Sequence, residues 1–265
     1  MKNEKISKKY SYAIIDGCLE KVGNFRIEPR SIFKGRGEHP KSGMIKEIIC
    51  PEDITLNISN NAPVPICPLP GRCWGEAVSK RDCAWLASYL EKCTESRKYV
   101  NLGASSKLKG LSDISKYEKA RKLKEKINFV RESYTKAMKS VDLKERQLGT
   151  ASYIIDYLAI RAGNEKGEDK ADTVGCCSLR VEHVEFGNDN EITLDFLGKD
   201  SIQYQNTVKI SSLAFENLKL FVENKEKKDQ IFDLMDTSRL NEYLQSLMKG
   251  LTAKVFRTYN ASNTL

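Results

Sequence analysis

From Lys107 onward the apolar residues recur at steps of three and four: Ile114, Tyr117, Ala120, Leu123, Ile127, Val130, Tyr134 and Ala137. That period is helical, and it predicts a long helix with one packing side and a face made mostly of Lys and Arg. A second helix is expected over Gln147–Ala162, with Leu148, Ala151, Ile154, Ile155 and Leu158 inward and Gly163 suited to stop it. The period then changes to two. Three strand-like runs, "VEHVEF", "EITLDFL" and "SIQYQNTVKI", are separated by Gly187-Asn188-Asp189-Asn190 and by Gly198-Lys199-Asp200. Turn residues at hairpin spacing predict an antiparallel meander. Helical patterns over Ser211–Glu223, over Ser238–Lys249 and from about Thr252, a reasonable N-cap, close the chain.

The first hundred residues read differently. Short apolar runs such as "YAIID" and "MIKEIICPEDITLNI" alternate with clusters such as "APVPICPLPGRCW", which fit neither a helix nor a central strand. The composition shifts near Lys107, so a mixed unit over 1–106 and a mainly helical unit with a three-stranded sheet over 107–265 are expected. The fold class is α+β.

Charge adds a location to this outline. The chain of 265 residues carries a net +8. The window Lys107–Gln147 alone holds 13 Lys and Arg against 6 Asp and Glu. Nearly all the excess therefore sits on the long helix and its exit, which suits a polyanion partner and equally a solvated helix face. The 8 cysteines form no CxxC, and the 2 histidines, His39 and His183, are far apart, so no zinc site is indicated. No apolar run approaches 18 residues and no N-terminal signal pattern stands out, so no membrane partner is expected. Reduced cysteines in a cytosolic or nuclear protein fit best.

Three cations stand where packing does not demand them. Arg161 ends a buried-looking helix and is followed at once by the polar loop "AGNEKGEDKADT"; Lys199 sits at a hairpin tip; Arg257 lies three residues after Lys254 on nearly the same helix face. Two guanidinium forks and an ammonium suit phosphoryl transfer on nucleic acid: the forks hold non-bridging oxygens and the ammonium supplies a proton. A surface arginine at a helix end is the alternative reading.

The runs "LAIRAGNEK", "ADTVGCCSLRVEH", "DFLGKDSI" and "GLTAKVFRTYNAS", with "NFRIEPRSIFKGRGEHPKSGMIK" and "PEDITLN" upstream, resemble eukaryotic DNA topoisomerase I, the type IB class. The resemblance covers the chain from about Tyr10. It implies an incomplete DNA breaking-rejoining enzyme fold, a nuclear location, and relaxation of supercoiled DNA through a 3′-phosphotyrosine, with neither ATP nor another cofactor or metal. By motif match the catalytic cations are Arg161, Lys199 and Arg257, the arginines on the phosphate and the lysine protonating the 5′-oxygen. The family's upper clamp and mobile linker are expected outside this stretch. Tyrosine recombinases share the cation chemistry, but "GRGEHPKSGM" and "GCCSLRVEH" argue against them.

The family's histidine and nucleophilic tyrosine follow the second arginine, the tyrosine in a Ser-Lys-x-x-Tyr motif that none of the 11 tyrosines here matches. Tyr259 is two residues from Arg257, about 200° around a helix, so it is expected to pack rather than react. His183 is expected to sit in a strand with a structural role. The chain alone is accordingly expected to be inactive, with the tyrosine on a C-terminal fragment or a small subunit; a DNA-binding module without turnover is the alternative. The resemblance implies double-stranded DNA contacts at Arg36, Lys98, Tyr99, Lys116, Arg161, Ala162, Gly163, Asn164, Glu165, Lys166, Thr173, Lys199, Thr252, Ala253 and Lys254. Taken alone, Lys98 and Lys116 read equally as solvated lysines. Arg36 and Asp200 resemble the pair that camptothecin-type poisons contact.

Overall fold

The computed structural model describes residues 10–24, 29–164, 166–167 and 169–264. It divides into two compact units, Met1–Gly35 with Pro40–Ile114, and Arg36–His39 with Ser115–Leu265. The Glu165 contact expected above lies outside the described residues.

The first unit is built of short strands. Hairpin β1 (Tyr12–Ile15) and β2 (Cys18–Lys21) is antiparallel, as are β3 (Ser31–Ile32) and β4 (Ile45–Lys46). The largest sheet has the order β6-β5-β7-β8, from β5 (Ile54–Asn57), β6 (Glu76–Val78), β7 (Trp85–Glu91) and β8 (Ser96–Asn101). Its core is small: Ile54, Leu56 and Ala87 are buried, with Trp74 and Val100 packed against them. The Pro-rich stretch before β6 forms no strand, and the Trp74 indole donates to the Pro65 carbonyl at 2.7 Å.

The second unit holds the main core. Helix α1 (Lys107–Ala137) and helix α2 (Leu143–Leu158) are joined by a short turn. The meander β9 (Val184–Phe186), β10 (Glu191–Leu197) and β11 (Gln203–Lys209) is antiparallel throughout. Helices α3 (Ser212–Val222), α4 (Thr237–Leu247) and α5 (Ala253–Thr264) follow. On β10 the side chains of Ile192, Leu194 and Phe196 alternate into the core with the strand's period of two. Leu123, Val130, Ile155, Leu240 and Phe256 complete the core from the helices.

Several boundaries differ from expectation. Helix α2 starts at Leu143 because the Asp142 side chain caps it, accepting from the Lys144 amide at 3.0 Å. It stops at Leu158 because Ala159 turns left-handed, with φ +52°; Gly163 belongs to the loop beyond. On α1, Ile114 and Tyr117 are exposed although they continue the apolar stripe that is buried from Ala120 on. At α5 the Thr252 carbonyl accepts from Val255, while the Asn241 side chain accepts from the Ala253 amide.

His183 lies in a single 3-10 turn, Val181–His183, just before β9 rather than in the strand. Its Nδ1 accepts the Arg180 amide at 3.0 Å, so the ring serves as a local cap. Arg180 in turn grips Asp172 through both carboxylate oxygens, at 3.0 and 2.7 Å, and reaches Glu182. Burial, and then the neighbouring guanidinium, hold the His183 imidazole below its ordinary range.

Two outcomes follow from this packing. Gly149 on α2 meets the end of α1, where an added Cβ would lie 2.7 Å from both the Met138 nitrogen and the Tyr134 carbonyl oxygen. Helix propensity favours alanine by about 1 kcal/mol, but the clash is with backbone, which yields little. Gly149→Ala is therefore expected to destabilise by about 1–3 kcal/mol, read as a lower urea midpoint. His183 binds its proton more weakly in the fold than in the unfolded chain, where the value is about 6.5. Its contribution is complete above that value and is lost as pH falls through the lower folded one. Thermal midpoints should drop as pH falls below about 6.5, and the drop should shrink in His183→Gln.

Candidate nucleic-acid cleft

A cleft of about 770 Å³ opens in the second unit where the end of α2, the β10–β11 turn and the starts of α4 and α5 converge. Among the described residues Arg161, Lys166, Lys199, Lys254 and Arg257 line it, against one carboxylate, Asp200. Ala162, Gly163, Asn164, Thr173, Thr252 and Ala253 line it as well. Twelve lining residues are thus ones singled out in the sequence, contributed by segments almost a hundred positions apart.

Each cation is delivered by local structure. Ala159 ends α2 and swings Arg161 out of the helical path to an exposed position. The loop beyond is clamped from behind: the Arg161 carbonyl accepts from the Cys176 amide at 2.8 Å, and the Ala162 carbonyl accepts from the Cys177 amide at 2.6 Å. The Val174 amide donates to the Leu197 carbonyl at 2.9 Å, tying the same loop to the strand that leads to Lys199. Lys199 itself stands in the turn Lys199–Ser201, exposed.

Arg257 is held more tightly. Its Nε donates to the Ala159 carbonyl at 3.0 Å, and one turn further the Asn260 side-chain Nδ2 donates to the Asp156 carbonyl. Both acceptors belong to the C-terminal turn of α2, where carbonyls lack partners within the helix. Burial, and then repulsion from Arg161, lower the Arg257 pKa, so the two guanidinium groups feel each other across the cleft. Arg257 stays charged, since arginine titrates far above neutrality. A half-buried guanidinium facing an exposed one across a cleft is a waiting anion site.

Tyr259 points away from this cluster. It is 8% exposed and packs in the core. Arg36 lies outside the cleft wall but forms an ion pair with Asp200. The described residues place Lys98 and Tyr99 on exposed β8 in the first unit, and Lys116 on α1, its ammonium 4.5 Å from the Tyr117 ring centroid. Lys116, in the same unit as the cleft, does not line it. Val174, Thr237 and Asn241 do, and nothing in the sequence marked them. Thr237 and Asn241 are four apart on α4, so they share a face, a signal available only once the start of that helix is fixed.

No helix among the described residues is long and apolar enough to cross a membrane. Residues 1–102 match the family described as "Eukaryotic DNA topoisomerase I, DNA binding fragment", and residues 105–265 match "Eukaryotic DNA topoisomerase I, catalytic core". DNA topoisomerase 1 of Schizosaccharomyces pombe is 55% identical over 258 residues, 97% of this chain and 32% of that protein. DNA topoisomerase 1 beta of Arabidopsis thaliana is 52% identical over 100% of this chain and 29% of its own length. The human DNA topoisomerase 1 is 51% identical over 99% and 35% respectively. The chain therefore spans about a third of the length of the curated relatives it matches. With both family descriptions matching in chain order and half the residues shared with fungal, plant and animal relatives, the chain belongs to the eukaryotic DNA topoisomerase I family.

Proposed function

We propose that this chain holds duplex DNA as the core of a type IB topoisomerase, with Arg161, Lys199 and Arg257 acting on one scissile phosphate. The observation that carries the reading is the cleft itself: among the described residues, five cations surround a single opening with one carboxylate, itself paired with Arg36. In the reaction a tyrosine oxygen attacks phosphorus, the bond to the 5′-oxygen breaks, and a 3′-phosphotyrosine and a 5′-hydroxyl result. Arg161 and Arg257 bind the non-bridging oxygens as charge builds there. Lys199, on a turn rather than a helix, donates its proton to the departing 5′-oxygen. The burial of Tyr259 supports a nucleophile drawn from the family's own tyrosine motif, which the 265 residues do not contain. Lys166, Thr173, Lys254 and the Arg161–Asn164 backbone position the duplex, together with Lys98, Tyr99 and Lys116. Such contacts read phosphate and not base, so sequence preference is weak.

Binding of a short duplex followed by fluorescence anisotropy at several salt concentrations tests the cleft. Log affinity is expected to fall with log salt at about −0.9 per phosphate neutralised, hence with a slope of about −4.5 if the five cleft cations engage. A flat response removes the reading. The roles of the cations separate in a polypeptide that also carries the tyrosine motif. Lys199→Ala should slow single-turnover cleavage by about 10²- to 10⁴-fold on an ordinary phosphodiester. It should cost little when sulfur replaces the 5′-oxygen, because a thiolate leaves without a proton. Arg257→Ala should slow both substrates alike. Failure of sulfur to rescue Lys199→Ala would assign the proton to another group.

A further inference from the structure

The segment that opens the Arg161 loop is held by three carbonyls in succession. Two of them, on Arg161 and Ala162, accept backbone amides from Cys176 and Cys177. The third, on Gly163, accepts the hydroxyl of Thr237, the first residue of α4. The distinction matters, because the first two bonds come with the fold and the third depends on one side chain. Gly163 cannot be secured by a side chain of its own. Its φ is +77°, and an added Cβ would lie 2.4 Å from the Gly175 Cα, where two stretches of backbone cross. Beyond it, Asn164 and Lys166 line the cleft.

Thr237 also stands at a partition. It lines the cationic cleft and, on its other side, a cavity of about 600 Å³ bounded by Cys177, Met235 and Arg239. A hydroxyl has one proton to give and two lone pairs to offer. The proton goes to Gly163, and the neighbouring Cys177 thiol is kept neutral because burial pushes it up to about 11. One turn along α4, on the same face, Asn241 accepts the Ala253 amide at the start of the helix that carries Lys254 and Arg257. The first two turns of α4 thus touch both arginine-bearing segments, one through each polar side chain.

We propose that Thr237 is a positioning residue for phosphate binding: its hydroxyl fixes the Gly163 carbonyl and thereby the placement of Asn164 and Lys166 in the cleft. The inference rests on the cleft binding DNA as proposed above. Thr237 touches no DNA in this scheme; it acts through the loop.

The test uses the 265-residue chain and a short duplex, with anisotropy read across a salt series for wild type, Thr237→Val, Thr237→Ser and Lys254→Ala. Valine keeps the shape and loses the hydroxyl, so affinity is expected to fall about fivefold, the worth of one neutral hydrogen bond. The salt slope should shallow by about 0.9 as one phosphate contact is lost. Serine restores both. Thermal stability alone cannot move the slope, and amide exchange of Arg161–Asn164 should rise in Thr237→Val and return to normal in Thr237→Ser. If valine does not give a folded chain, Thr237→Ala is measured against serine in the same way. A hydroxyl-free variant with wild-type affinity and slope, beside a weakened Lys254→Ala, overturns the role of Thr237 and leaves the cleft reading intact. A Lys254→Ala protein that binds like wild type overturns the cleft reading and this inference with it.

Discussion

Two guanidinium groups share one cleft, and each is anchored in a way that leaves its charge free. Like charges brought close together drift apart unless something fixed holds each of them. In this chain the fixing groups are neutral: the Ala159 carbonyl at the end of α2 holds Arg257, and the backbone amides of Cys176 and Cys177 hold the loop of Arg161. A carboxylate would have held an arginine more strongly, but it would also have cancelled the charge the cleft offers to an anion. The acid that is present, Asp200, is turned toward Arg36. Neutral anchoring keeps the cations available.

That arrangement explains why the fold is assembled as it is. The C-terminal end of α2 must be unfinished for its carbonyls to be free, and the left-handed Ala159 leaves it so. Helix α5 must present opposite faces to core and cleft. Phe256 and Tyr259 enter the core while Arg257 faces the α2 carbonyls. The long apolar packing of α1 and α2 beneath, with Leu123 and Ile155 fully buried, gives the rigid floor on which these short polar bonds can be directional.

Much of this was legible in the sequence because it rests on period and on punctuation. The meander was visible in alternating residues and in its Gly and Asn turns, and the burial of Tyr259 followed from its angular offset from Arg257. What was not legible depended on where the chain is covered. Ile114 and Tyr117 carry the same period as Ala120 and Leu123, yet period reports only that residues share a face, and nothing local says where that face meets a partner. Gly163 looked like a helix stop because glycine usually ends helices; Ala159 took that role, and the glycine was required instead by the Gly175 backbone crossing. Thr237 and Asn241 were invisible for a related reason. Their function lies in accepting and donating to backbone groups distant in sequence, and a backbone group has no letter.

The clamp behind the Arg161 loop has one more consequence, for reactivity. Cys176 and Cys177 lend their amides to the loop and bury their thiols, and burial keeps both protonated. Only the thiolate reacts with electrophiles and oxidants, so neither side chain competes with its own backbone role. These two are also the sole cysteines between residues 115 and 265, whereas Cys18 and Cys73 of the first unit are exposed. Thiol labelling therefore runs as two separate clocks: one ticks at once on the surface of the first unit, and the other starts when the packing around the arginines opens.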